Sequence, residues 1–132
     1  MKRRDFIRKS AAASAAITAT PLLWGTENRW RGANDRVNVA VIGIRGMGQA
    51  HIQGFQNLKN VEISAVCDVD ENLFDERIKK HFTDKGLKKR KIYTDLRKLY
   101  EDKDIDAVTI VTPNHWHTLA AIWAIQAGKH VT

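Results

Sequence analysis

The sequence has a single cysteine, Cys67, so no disulfide can form within the chain. Cys67 ends an apolar segment that begins at Val61, and this position favours a buried packing residue over a reactive thiol. Long apolar runs are also lacking, because the mild apolar run of residues 11–24 is shorter than the ~20 residues of a membrane-spanning helix. These absences exclude a disulfide framework and argue against a transmembrane helix.

The chain has room for one domain and lacks a convincing set of metal ligands. Its 132 residues fit the roughly 100 to 200 residues of a typical domain, and we find no internal repeat. His115 and His117 are close in sequence, but no third ligand lies near them, and His51 belongs to a different segment. We therefore predict one domain without a metal site.

Positive charge is concentrated in two places. The formal net charge is +7, and residues 1–10 supply +4 of it, from five Lys and Arg side chains less one Asp. The second concentration, residues 85–91, falls between two predicted elements and lacks the interleaved aromatic side chains that stack on bases. We predict a solvated connecting loop there and no nucleic-acid partner, with an anion-binding patch as the alternative.

The N-terminus resembles a bacterial twin-arginine export signal. Arg3 and Arg4 precede a polar residue, then Phe6 and Ile7, and the apolar run follows. The alternative is a disordered basic tail. The resemblance implies that residues 1–34 are a signal and linker, that the twin-arginine export machinery is a partner, and that the protein is exported, typically to the periplasm. Residues 35–132 would then form the domain.

Past this linker, short apolar strand patterns alternate with longer helical patterns. The predicted strands cover residues 37–42, 61–68, 92–93, 107–111 and 130–131. The predicted helices cover residues 47–58, 71–82, 95–101 and 116–127. This order, with its short connections, predicts an α/β fold with a Rossmann-type doubly wound parallel sheet.

Three local signals refine the helices. The hydroxyl of Thr94 could cap the third helix by accepting an N–H from its first turn. Gly128 suits the left-handed position that follows the last helix. Ile122 and Trp123 lie in that helix, and we expect both side chains in the core.

The first predicted strand runs directly into a glycine-rich turn that opens the first helix. The candidate cofactor-binding residues of this turn are Gly43, Arg45, Gly46, Met47 and Gly48. Glycines let the backbone approach a pyrophosphate, and the free N–H groups at the helix N-terminus balance its negative charge. The turn therefore predicts a dinucleotide site, although a tight strand-to-helix turn without a ligand would also need glycines.

A carboxylate lies at the distance that a dinucleotide site requires. Asp68 is 20 residues past Gly48, at the end of the second predicted strand, where it can accept the ribose hydroxyls. Its charge would repel a 2′-phosphate, so we predict NAD as the cofactor. Arg45 and the nearby Asp70 keep NADP as the less favoured alternative.

A third segment should meet these two, because the carboxyl ends of parallel strands lie at one edge of a sheet. It follows the fourth strand, and its candidate cofactor-binding residues are Thr112, Pro113, Asn114 and His117. The segment could also be only a helix start, in which Pro113 fixes φ and Asn114 is the N-cap. The two roles are compatible.

Residues 36–132 resemble the N-terminal cofactor domain of the Gfo/Idh/MocA oxidoreductases. The resemblance is carried in order by residues 41–51, 67–70, 93–95, 112–117 and 127–131. It implies that Met47 and Gly48 face the pyrophosphate through backbone N–H groups and that Asp68 binds the adenosine ribose. It also implies that Thr112, Asn114 and His117 lie along the nicotinamide side. Arg45 departs from the family pattern, which has a glycine there, and its side chain could contact the pyrophosphate or point to solvent.

The resemblance also implies a longer protein. In this family a second α/β domain follows, carrying the substrate and often the oligomer interface, and a catalytic lysine in a Glu-Lys-Pro motif would come just beyond Thr132. We therefore expect a truncated Rossmann domain with no catalytic residue of its own. The full-length, homo-oligomeric parent would transfer hydride between NAD(P) and a sugar, cyclitol or polyol. The alternatives are an NAD-dependent glycosidase resembling α-N-acetylgalactosaminidases and a non-enzymatic NAD-binding protein.

Overall fold

The computed structural model describes residues 36–132, so the predicted export signal lies outside the described residues. In this part of the chain, strands alternate with α-helices, and a short 3-10 helix covers Thr83–Lys85. The strands are β1 (Val37–Ile42), β2 (Val61–Cys67), β3 (Lys91–Tyr93), β4 (Ala107–Ile110) and β5 (His130–Val131). The helices are α1 (Met47–Gln56), α2 (Asn72–His81), α3 (Leu96–Glu101) and α4 (Asn114–Gln126). None of these helices is long and apolar enough to cross a membrane.

The five strands form one parallel sheet in the order β3-β2-β1-β4-β5. The chain builds outward from β1 to β3 and then crosses back to β4 on the other side of β1. This confirms the predicted Rossmann-type doubly wound sheet. Ile42 pairs with Cys67 on one side and with Ile110 on the other, so the three central strands end at the same level. The loops that follow these strands are therefore neighbours.

Both faces of the sheet are covered, which explains why its central strands are largely apolar. Ala40 and Ile42 of β1 belong to the core shared with α3 and α4, whereas Val41 belongs to the core shared with α1 and α2. This alternation follows from the two-residue period of a strand. Helices α3 and α4 are also joined by the Tyr100 hydroxyl, which donates to the carbonyl oxygen of Ala120 at 3.0 Å.

The structure corrects three local predictions. The side chain that caps α3 belongs to Asp95, whose carboxylate accepts the N–H of Arg97, and Thr94 lies one residue too early for this role. Asn114 is the first residue of α4, whose N-cap is Pro113 without a side-chain hydrogen bond. Ile122 is 46% exposed, whereas Trp123 packs against the core as predicted. Gly128 has a φ of +74°, which confirms the left-handed end of this helix.

The basic segment of residues 85–91 connects α2 to β3, and several of its cations have partners. Lys85 Nζ donates to Gln56 Oε1 at 2.8 Å. The Arg90 guanidinium lies 5.2 Å from the centre of the Phe82 ring and pairs with Glu62 at 2.9 Å. Lys91 begins β3 and pairs with Asp102 at 2.8 Å. Hydrogen bonds, ion pairs and a cation–π contact thus hold this connection against neighbouring elements.

Cys67 is buried in the sheet as predicted, and its reactivity can be tested. Burial, together with the charges of Asp68 and Asp95, raises the pKa of the Cys67 thiol to about 12. Because the thiolate is the reactive form, iodoacetamide at pH 8 should leave the folded protein unmodified, as judged by intact mass. The same protein in guanidinium chloride is the control and should gain one adduct. Complete alkylation of the folded protein within minutes would contradict the buried position.

Candidate functional site

The glycine turn depends on two close approaches of the backbone. Gly43 follows β1 with a φ of +88°, and a Cβ at this residue would lie 2.8 Å from the carbonyl oxygen of Val111. Gly48 lies in the first turn of α1, where a Cβ would overlap the carbonyl oxygen of Gly43. Only glycine at both positions allows α1 to begin directly against the end of β1 and beside the loop after β4.

The N-terminus of α1 is open. Its N-cap is Gly46, which has no side chain, and a Cβ there would meet nothing within 4 Å. The side chain of Met47 is largely exposed, and the first turn contains no acidic residue that would occupy the positive end of the helix. The first N–H groups of a helix lack intrahelical partners. This end of α1 can therefore receive an anion such as a pyrophosphate.

Asp68 lies beside this turn, fixed by two backbone groups. Its Oδ2 accepts the N–H of Ile44 at 2.9 Å, and its Oδ1 accepts the N–H of Asp70 at 3.0 Å. A carboxylate has about four acceptor positions, so capacity remains for two hydroxyl groups of a ligand. The sequence spacing predicts that Asp68 lies near the turn. The bond to the Ile44 amide has no sequence signal, because every non-proline residue carries such an N–H.

Arg45 has a partner that the sequence did not predict. Its Nη2 donates to Asp70 Oδ2 at 2.7 Å, and its own side chain is 73% exposed. The other oxygen of Asp70 accepts both the backbone N–H and the side-chain amide of Asn72. The hydrogen bonds from Asn72 and from Arg45 lower the pKa of Asp70. The glycine turn and the loop after β2 are thus joined twice, by Ile44 to Asp68 and by Arg45 to Asp70.

The segment after β4 completes the site. The N–H of Val111 donates to the carbonyl oxygen of Ile42 at 2.8 Å, which holds this segment beside the end of β1. His117 Nε2 donates to the carbonyl oxygen of Thr112, and this bond requires the proton on Nε2. The Thr112 hydroxyl is buried without a hydrogen-bond partner in the described part of the chain. Burying a hydroxyl without a hydrogen-bond partner reduces the stability of the fold, unless a ligand supplies that hydrogen bond.

All the candidate residues therefore lie at the carboxyl edge of β1, β2 and β4. Pro113 and Asn114 are exposed at the start of α4, where they can line a ligand without holding the fold together. Across residues 36–132, no group of three or more His, Cys, Asp and Glu side chains is placed to hold a metal ion. The open helix end, the Asp68 carboxylate and the buried Thr112 hydroxyl together fit a nicotinamide dinucleotide laid along this edge.

A family model supports the same assignment. The model described as "Oxidoreductase family, NAD-binding Rossmann fold", of the Gfo/Idh/MocA group, matches residues 37–132. Among curated proteins, a glycosyl hydrolase family 109 protein of Shewanella pealeana is 41% identical over 100 residues, covering 73% of this chain and 22% of the relative. A protein of the same name from Shewanella baltica is 38% identical over a similar span.

Solved structures of dehydrogenases share the fold. An NAD-binding oxidoreductase from Klebsiella pneumoniae is 36% identical with a TM-score of 0.61, covering 73% of this chain and 26% of that protein. A scyllo-inositol dehydrogenase from Lactobacillus casei, solved with NAD(H) and scyllo-inositol, has a TM-score of 0.64. At 24% identity it supports the fold alone, over 74% of this chain and 27% of that one. The chain thus spans about a quarter of the length of these proteins.

The close approach at Gly48 predicts a large effect of one methyl group. Gly48→Ala should destabilise the domain by about 1–3 kcal/mol in urea unfolding, because its Cβ would meet a backbone carbonyl that cannot move aside. Gly54→Ala is the matched control in the same helix. A Cβ there meets nothing within 4 Å, so the substitution should stabilise by about 0.5–1 kcal/mol. Equal stability of the two variants would contradict the tight turn.

Proposed function

The chain belongs to the Gfo/Idh/MocA oxidoreductase family, and from this membership we propose that its site binds NAD for hydride transfer to or from a sugar, cyclitol or polyol. The observation that carries the proposal is the open N-terminus of α1 beside the fixed carboxylate of Asp68. The open end of α1 offers a positive partial charge for a pyrophosphate. Asp68, in the neighbouring loop after β2, offers an acceptor for ribose hydroxyls. A nicotinamide cofactor, when bound, supplies the hydride chemistry itself.

The residues of the site would bind and orient this cofactor. The N–H groups of Met47 and Gly48 would face the pyrophosphate, and Asp68 would accept the hydroxyls of the adenosine ribose. The Thr112 hydroxyl offers a hydrogen bond on the nicotinamide side, and His117 holds the carbonyl oxygen of Thr112 in place. The negative charge of Asp68 favours NAD, because the 2′-phosphate of NADP would lie against it.

A second candidate function is NAD-dependent glycoside hydrolysis. It is favoured by the names of the curated relatives, which are glycosyl hydrolase family 109 proteins at 36–41% identity. In such a reaction hydride would leave and return within one cycle, so no reduced cofactor would accumulate. The same cofactor site serves both functions, and the difference lies in the fate of the hydride.

The cofactor assignment predicts the effect of one carboxylate. Asp68→Asn should weaken NAD⁺ binding at least about tenfold, because a hydrogen bond to a charged acceptor is lost from the ribose. The measurement is isothermal titration calorimetry, in which NAD⁺ is added to the unchanged protein and to the variant. Asp75→Asn is the matched control, since Asp75 is an exposed acid in α2, and it should bind like the unchanged protein. Equal affinity of the Asp68 variant would contradict the ribose contact.

Turnover distinguishes the two candidate functions. The natural protein should produce NADH, followed by absorbance at 340 nm, when NAD⁺ is mixed with inositols, sugars or sugar alcohols. Release of the aglycone from an aryl α-N-acetylgalactosaminide without net NADH would support the glycosidase instead. Binding of NAD⁺ without either reaction over a broad substrate panel would favour a non-enzymatic role.

A further inference from the structure

The ion pair of Arg45 with Asp70 crosses the adenosine end of the proposed cofactor site. Arg45 belongs to the glycine turn, and Asp70 belongs to the loop after β2, two residues past Asp68. The adenosine ribose would lie between these two loops, because Asp68 is the ribose acceptor in the proposed function. With the ribose bound in this way, the guanidinium of Arg45 would lie on the same side of the site as the ribose 2′-oxygen.

Arg45 has the chemistry to bind a phosphate at that position. Its planar guanidinium can donate two parallel hydrogen bonds to phosphate oxygens, and it is largely exposed, so it can rotate toward a ligand. In this structure, however, its Nη2 is already paired with Asp70 at 2.7 Å. A 2′-phosphate would therefore compete with this carboxylate for the positive charge of the guanidinium.

Asp70 is well placed for this competition. Its Oδ1 accepts two hydrogen bonds from Asn72, at 3.2 Å from the backbone N–H and 3.1 Å from the side-chain amide. The carboxylate is thereby oriented with Oδ2 toward Arg45. On the other side, Gln49 Nε2 donates to the carbonyl oxygen of Arg45 at 2.8 Å, which fixes the backbone of the turn. Both ends of the pair are thus held by neighbouring groups.

We propose that Asp70 is a specificity-determining residue that masks Arg45, and that Arg45 is a latent ligand for the 2′-phosphate of NADP. The proposal rests on the proposed cofactor function of the site. Asp68 alone repels a 2′-phosphate by its charge. Asp70 adds a second means of exclusion, because it neutralises the Arg45 guanidinium, which could otherwise compensate the charge of that phosphate.

The test compares the affinities for NADP⁺ and NAD⁺ in the natural protein and its variants. Asp70→Asn should raise the ratio of NADP⁺ to NAD⁺ affinity roughly two- to fivefold, because Arg45 is released from an exposed ion pair. The gain should shrink with added salt, since the groups are exposed. Asp75→Asn removes the same charge from an exposed position in α2 that forms no hydrogen bond or ion pair with Arg45, and its ratio should stay unchanged.

A double variant separates masking from simple charge removal. Asp70→Asn combined with Arg45→Gln should lose the gain in NADP⁺ affinity, because the phosphate ligand is then absent. An unchanged ratio in Asp70→Asn, or a gain that survives in the double variant, would overturn the proposal while NAD⁺ binding stands. Failure of the unchanged protein to bind NAD⁺ would instead overturn the proposed function, and this inference with it.

Discussion

The structure depends on the contact between Gly48 and the carbonyl group of Gly43. A side chain at Gly48 would overlap that carbonyl, so α1 can start against β1 only because the position is glycine. The contact sets the direction in which α1 leaves the sheet. The first turn of α1 consequently lies at the edge where the central strands end, which is the edge that carries the proposed cofactor site.

The sheet topology brings the other parts of the site to this edge. The chain places β2 and β3 on one side of β1, and β4 and β5 on the other side. In parallel sheets such a change of direction opens a crevice at the carboxyl ends of the strands. Backbone N–H groups then fix each part: those of Ile44 and Asp70 donate to Asp68, and that of Val111 donates to Ile42. The site is therefore built mainly from main-chain geometry, and few side chains are needed to hold it.

Several parts of the fold could be predicted from the sequence because their causes are local. The largely apolar character of β1 and β4 indicates strands covered on both faces, and the structure places them near the centre of the sheet. Helix starts were less certain. Asp95 and Thr94 are both good caps, and the choice between them depends on one residue of helix position. The exposure of Ile122 also escaped prediction, because an apolar helix has no pattern that marks its outer face.

The sequence by itself determined the strand-glycine-helix unit and the spacing to Asp68, since glycine tolerance and strand periodicity act within a few residues. Only the tertiary structure decided the partners of the remaining polar groups. Arg45 pairs with Asp70 across 25 residues of chain, and nothing in the sequence near Arg45 identifies that carboxylate. Such pairs depend on distances of a few ångströms between separate loops, and these distances exist only after the sheet has brought β1 and β2 side by side.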